Sequence, residues 1–214
     1  MIQFLRKVLG IDVRFKRNKM VVVDLETLDT RPTSLFYAVG ARMFTFGKDI
    51  DNDSVLDADD PKFILEHDSF LQYVSLDLLQ DIRFTTSAET VEWTEQKNIV
   101  EYNRAKKHGR PLVEVVKNFD AWINYHQPKS IVANSPAFDI SIMRHAYGIL
   151  ERKFPMHFRD EFDARTITTL RHLCGMSRYA KIESQRLHSP LDDCTLSIKA
   201  IHEFVVHMET CRFK

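Results

Sequence analysis

The run Met20-Val21-Val22-Val23, closed by Asp24-Leu25-Glu26-Thr27, constrains this chain more than any other feature. It reads as a buried strand that ends in two carboxylates. Strand side chains alternate between faces, so Asp24 and Glu26 point the same way and are placed to hold one divalent cation between them. Such a pair is costly alone. Like charges held close in a poorly solvated place repel and raise each other's pKa, and a bound metal ion removes that cost. The alternative is a strand running into an acidic, solvated turn. Short acidic motifs are common by accident, so the pair gains meaning only from distant partners.

A length of 214 residues bounds the fold to one domain with a substantial core, and 44% hydrophobic with 28% charged residues describes an ordinary soluble protein. Thirty basic and thirty acidic residues cancel, so no global field advertises a polyanion, and a nucleic acid would have to be gripped locally. Cys174, Cys194 and Cys211 are widely separated and form no CxxC pair, against a disulfide framework or a zinc site. The apolar residues from Met1 to Leu9 are broken by Arg6 and Lys7, unlike a signal-peptide core, and no apolar stretch approaches membrane-spanning length. The expectation is a soluble, cytoplasmic protein.

Residues 1–19 combine a partly apolar stretch with Arg14, Lys16, Arg17 and Lys19, and are expected to form an N-terminal arm ahead of a main domain over 20–214. Residues 35–46, rich in aromatic and branched types, predict a second strand, and Phe70 to Leu76 a third, completing an antiparallel meander. The aspartate-rich segment Asp49 to Asp60 lacks the glycine and terminal glutamate of an EF-hand loop and reads as an exposed acidic insertion. Helical signals follow. Thr86 with Glu89 forms a capping-box pattern opening a helix that carries Val91 and Trp93. Pro111 precedes Val113, Val116, Phe119 and Ile123, a helical spacing that ends near Pro128. Ser130 to Ala133 is a short buried strand, and Pro136 to Tyr147, Asp163 to Cys174 and Ser189 to Met208 predict three further helices. A meander followed by alternating helices and a parallel strand defines a layered α/β domain.

Two more acidic elements stand at helix starts. Asp139 follows the buried strand Ser130 to Ala133, where a carboxylate serves either helix-start electrostatics or metal ligation at the end of a sheet strand. In His188-Ser189-Pro190-Leu191-Asp192-Asp193, Ser189 is a good N-cap, Pro190 suits the first helical position, and Asp192 falls where its carboxylate reaches back in a capping box. His188 then precedes the cap and Asp193 lies in the first turn, two positions that approach each other across a helix start. This leaves Asp193 for metal. Read alone, His188 is a surface histidine before a helix.

In this order the motifs resemble the DEDD 3′-to-5′ exonucleases of the ribonuclease H-like fold, in their histidine subclass: Asp24-Leu25-Glu26, then Phe138-Asp139, then His188 with Asp193 five residues on. The resemblance spans residues 20 to 208. The stretch from Asp24 to Phe44, the helix at Val91-Glu92-Trp93, Asp163-Ala164-Arg165-Thr166 and His188 to Asp193 are similar to the phage and bacterial exonuclease VIII-like group, which includes a related mycobacterial ribonuclease. Trp93 stands singly where relatives often carry two adjacent aromatics.

The resemblance implies a ribonuclease H-like mixed sheet, an antiparallel three-strand meander plus parallel strands, flanked by helices. It implies a metal-dependent 3′-5′ exonuclease in which Asp24, Glu26, Asp139 and Asp193 hold two ions, Mg2+ or Mn2+, about 4 Å apart, with His188 as general base. Thr27, Leu28, Trp93, Phe138 and Arg165 are the substrate-binding candidates; core packing competes for Trp93, Phe138 and Leu28, and pairing with Asp163 for Arg165. The implied partner is a nucleic acid with a single-stranded 3′ end, DNA or a 3′ overhang first and short or structured RNA second. A second copy of the chain is left open, and no membrane is expected. The location is cytoplasmic, in the host if the chain is phage-encoded. The rival readings are an integrase-like or ribonuclease H-like endonuclease and a non-catalytic nucleic-acid-binding relative; retention of all four carboxylates and the histidine speaks against both.

Overall fold

In a computed structural model, which describes residues 19–46, 64–178 and 188–210, the apolar run becomes β1 (Lys19–Thr27), the central strand of a five-stranded sheet. On one side it pairs antiparallel with β2 (Phe36–Phe46), which pairs antiparallel with β3 (Ile64–Tyr73). On the other it pairs parallel with β4 (Ser130–Ala133), which pairs parallel with β5 (Glu161–Asp163). The sheet order is therefore β3-β2-β1-β4-β5, the mixed sheet expected from the sequence. Three parallel strands run to the same edge, where β1 carries Asp24 just past its last pair with β4 and β5 ends in Asp163.

Helices cover both faces because β1 is apolar on both. Val21, Val23 and Leu25 pack with α2 (Ile99–His108), α3 (Leu112–His126) and α4 (Asp139–Ile149) in the larger core cluster. Val22, between them and therefore on the opposite face, joins Val132 and Phe44 against Ala164 of α5 (Ala164–Leu173) and Cys194, Ile198 and Ile201 of α6 (Pro190–Thr210). Before these comes α1 (Ala88–Lys97). Among the described residues, no helix is long and apolar enough to cross a membrane.

Several element boundaries differ from expectation. The third strand starts six residues before Phe70 and stops at Tyr73, because Val74 leaves the ladder to bridge Arg110. The capping box begun at Thr86 is not used: Ser87 is the N-cap of α1 and its hydroxyl accepts from the Thr90 N–H at 3.5 Å. The tryptophan helix then ends at Asn98, where a second helix starts at once. The helix expected from Pro136 begins at Asp139, since the Ser135 carbonyl accepts from both Phe138 and Asp139 and makes the intervening residues a turn. The three-residue β5 was too short for its pattern to register. The N-terminal arm before Lys19, the acidic insertion at 49–60 and Cys211 lie outside the described residues.

Candidate metal centre and active site

Alternation along β1 puts Asp24 after Val22 on the α5–α6 face, at the strand's C-terminal end. Asp139 arrives from β4, which runs parallel beside β1 and delivers the chain to the start of α4 at the same edge. Its Oδ1 accepts from the Leu25 N–H at 3.3 Å, so this carboxylate is tied to the backbone between Asp24 and Glu26. The Asp193 N–H donates to the Ser189 carbonyl at 2.9 Å, which makes Ser189 the N-cap and puts Asp193 in the first turn.

One glycine lets that turn reach the sheet. Gly40 lies opposite Asp24 in the β1–β2 ladder, and a Cβ there would stand 2.5 Å from the Pro190 Cβ and 2.8 Å from its carbonyl carbon. The absence of a side chain therefore allows α6 to start directly over the metal-facing strand. Arg42 Nε donates to the Leu191 carbonyl at 3.0 Å, and the buried Cys194 thiol lies 3.6 Å from the Val22 carbonyl and 3.7 Å from that of Gly40. These contacts dock the first turn of α6 between β1 and β2 and carry Asp193 to Asp24.

The result is a cluster in which carboxylate oxygens of Asp24, Glu26 and Asp193 all lie within 4.8 Å of one another. Burial, then Asp139, Glu26 and Asp193, push the Asp24 pKa well above the carboxylate range. Glu26 is pushed up to about 8 by burial and by Asp193, against hydrogen bonding from Asn98 and Tyr37. Asp139 rises to about 6 through burial, although backbone N–H groups and the charge of Arg165 pull it down. Asp24 and Glu26, each raised by burial and by the charges of Asp139 and Asp193, form with them a site built for a cation. The donor set is oxygen only, which suits Mg2+ or Mn2+ better than zinc.

The other candidates divide. His188 has a left-handed backbone, φ 59°, and its ring meets that of Trp93 edge to face, centroids 4.7 Å apart. Trp93 is 41% exposed, so α1 presents an indole beside the histidine. Arg165 is exposed and its charge acts on Asp139, while Asp163 caps α5 by accepting from the Arg165 backbone N–H at 2.8 Å and from the Thr166 hydroxyl. The pairing weighed for the Arg165 side chain is thus a backbone contact. Phe138 is partly buried against the larger core, and the Thr27 hydroxyl donates to the Asp29 carbonyl at 2.9 Å. Leu28 is fully buried and its side chain packs in the larger core, the alternative weighed for it from the sequence. Sequence reasoning passed over Gly40, Cys194, Tyr37 and Asn98, whose roles depend on contacts with distant segments. Only the Cys194–Asp193 adjacency offered a signal.

The profile of the family described as the 3′-5′ exoribonuclease Rv2179c-like domain matches residues 19–205. No curated protein matches the chain in sequence. Among solved structures, the chain is similar to the nuclease domain of 3′hExo, a DEDDh family member bound to rAMP, with TM-score 0.54 and 15% identity over 91% of this chain and 93% of that one. It is also similar to an exonuclease I whose structure bears on processivity, with TM-score 0.56 and 13% identity over 91% of this chain and 41% of that one. A moderately thermophilic exonuclease I from Methylocaldum szegediense gives TM-score 0.54 and 12% identity over 87% of this chain and 41% of that one. The chain thus spans about two-fifths of the exonuclease I chains. At these identities the likeness is one of fold, the ribonuclease H-like mixed sheet.

Proposed function

The chain belongs to the Rv2179c-like 3′-5′ exoribonuclease domain family and is a 3′-5′ exonuclease, and from that premise we propose that it removes nucleotides from the single-stranded 3′ end of RNA. The observation that carries the chemistry is the convergence of Asp24, Glu26 and Asp193 within 4.8 Å, with Asp139 acting on the same site. Asp24, Glu26, Asp139 and Asp193 would hold two Mg2+ or Mn2+ ions, and the other three carboxylates all act on Asp24. When bound, the ions supply an activated water and relieve negative charge on the attacking and leaving oxygens.

The chain's own side chains do the rest. An imidazole nitrogen of His188 takes the proton of the attacking water, the role of a general base. Exposed Trp93 offers a stacking surface for a terminal base, and Arg165 a cation beside the acidic cluster. Together they reconcile a neutral chain with a polyanionic substrate. The quoted segments from Asp24 to Phe44 and from His188 to Asp193 support kinship with the exonuclease VIII-like group.

DNA was the first expectation from sequence, and the family description moves RNA ahead of it. Matched RNA and DNA oligonucleotides, labelled at either end and incubated with Mg2+, Mn2+ or EDTA, test the proposal. Stepwise shortening of RNA from the 3′ end, abolished by EDTA, is expected. Internal cutting, 5′ shortening or full activity in EDTA would overturn the nuclease reading, and preference for DNA would restore the original order.

A further inference from the structure

Two buried polar residues outside every acidic motif converge on Glu26. The first is Tyr37. In the β1–β2 ladder Glu26 pairs with Ala38 and Thr27 with Phe36, so Tyr37 is the extra residue of a β-bulge opposite the Glu26–Thr27 step. A bulge bends its strand and re-aims a side chain, and Tyr37 is fully buried with its hydroxyl turned to polar partners.

The second is Asn98, which ends α1 and begins α2 with its backbone: its N–H donates to the Thr94 carbonyl at 2.8 Å and its own carbonyl accepts from Tyr102 at 3.1 Å. An asparagine at such a junction ordinarily caps the following helix with its side chain. This one makes no side-chain cap. Instead, only 4% exposed, it donates from Nδ2 to the Tyr37 hydroxyl at 3.0 Å. Tyr37, receiving that hydrogen, has its own to give, and its hydroxyl lies within the field of the Glu26 charge.

We propose that Tyr37 and Asn98 are positioning residues that hold the Glu26 side chain toward the metal site. The inference rests on the nuclease reading above, since it assigns Glu26 to the cation. Glu26 has three rotatable side-chain bonds, and the negative charges of Asp193 and Asp139 press it away from the cluster. A pair of donors anchored to two different elements, β2 and the α1–α2 junction, counters that pressure and fixes one orientation before a cation arrives. Hydrogen bonding of this kind to ligating carboxylates sets metal affinity as well as geometry. It also explains why the tryptophan helix breaks where it does. A continuous helix would leave no junction from which Asn98 reaches the phenol.

The test is Mn2+ binding to the intact protein by isothermal titration calorimetry, on Y37F, N98A and the double variant, with D24N as the ligand-loss control. Y37F removes one oxygen and keeps the ring, so folding, followed by circular dichroism and thermal denaturation, is expected to survive; N98S stands in if N98A unfolds. Tyr147→Phe removes a buried hydroxyl bonded to Asp120, on α4 instead of beside Glu26, and is expected to bind Mn2+ like the wild type. Y37F and N98A are each expected to weaken Mn2+ binding about 10- to 100-fold. Turnover with labelled oligonucleotide should fall through kcat, with KM nearly constant. The double variant should be no weaker than the poorer single one, because the two donors act as a unit. Folded Y37F and N98A proteins that bind Mn2+ within about twofold of wild type, by contrast with the scale of such losses, would overturn the positioning role while leaving the nuclease reading intact. Absence of Mn2+ binding in the wild type would instead overturn the nuclease reading, and the positioning role with it.

Discussion

Gly40 shows how much one residue decides in this site. Its missing Cβ lets Pro190 rest on β2, so Gly40→Ala must shift either the strand or the start of α6. The expected cost is about 1–3 kcal/mol by overpacking. A displacement of about 1 Å at Asp193 would lower turnover roughly 100-fold. Thermal denaturation and kcat measured together check both parts. Adjacent aspartates make the complementary case. Asp193→Asn should abolish turnover because it removes a carboxylate from the cluster, whereas Asp192→Asn should cost mainly helix stability, about 0.5–2 kcal/mol. Reversed effects would show that the two exchange roles. At this scale the acidic residues were legible in the sequence because carboxylates at a strand end and at helix starts need a reason. Gly40 and Tyr37 were not, because a glycine and a tyrosine in a strand carry no mark of what packs against them.

Among the elements, α6 is the one whose placement makes the site, and it is held at both ends of its path. Its first turn docks through Leu191 and Cys194, and farther along it is clamped by Arg171 of α5. Arg171 is almost completely buried and donates to the Ser177 carbonyl, the Ala200 carbonyl and the Glu203 carboxylate at 3.2, 2.9 and 2.7 Å. Arg171→Leu leaves two carbonyls and a partly exposed carboxylate without this donor, an expected loss of about 1–3 kcal/mol in urea denaturation. Helix and strand types were readable from periodicity and capping, as α3 and α6 show. Boundaries were less so. The α1–α2 break at Asn98 and the short β5 follow from contacts with β2 and β4, which no local pattern encodes.

For the molecule as a whole, the acidic cluster ties stability to pH and to cations. Glu26 ionises near 4.5 when unfolded and near 8 when folded without metal, and Asp139 moves from 3.8 to about 6. Between those values the native state binds more protons than the unfolded one, so stability falls as pH rises through this window. The loss should be on the order of a few kcal/mol between pH 5 and pH 8 in EDTA, read as a falling Tm. Millimolar Mg2+ or Mn2+ should reverse it by binding the native cluster, with the largest gain at the alkaline end. A Tm that rises with pH in EDTA would contradict the electrostatics. The sequence by itself determined the buried central strand, the order of the acidic motifs and the types of most elements, because alternation, capping chemistry and charge at strand ends are local properties. Only the tertiary structure decided that Leu28 belongs to the core, that α6 sits over Asp24 through Gly40, and that Tyr37 and Asn98 meet at Glu26. These depend on distances between segments far apart in the chain, which packing alone sets.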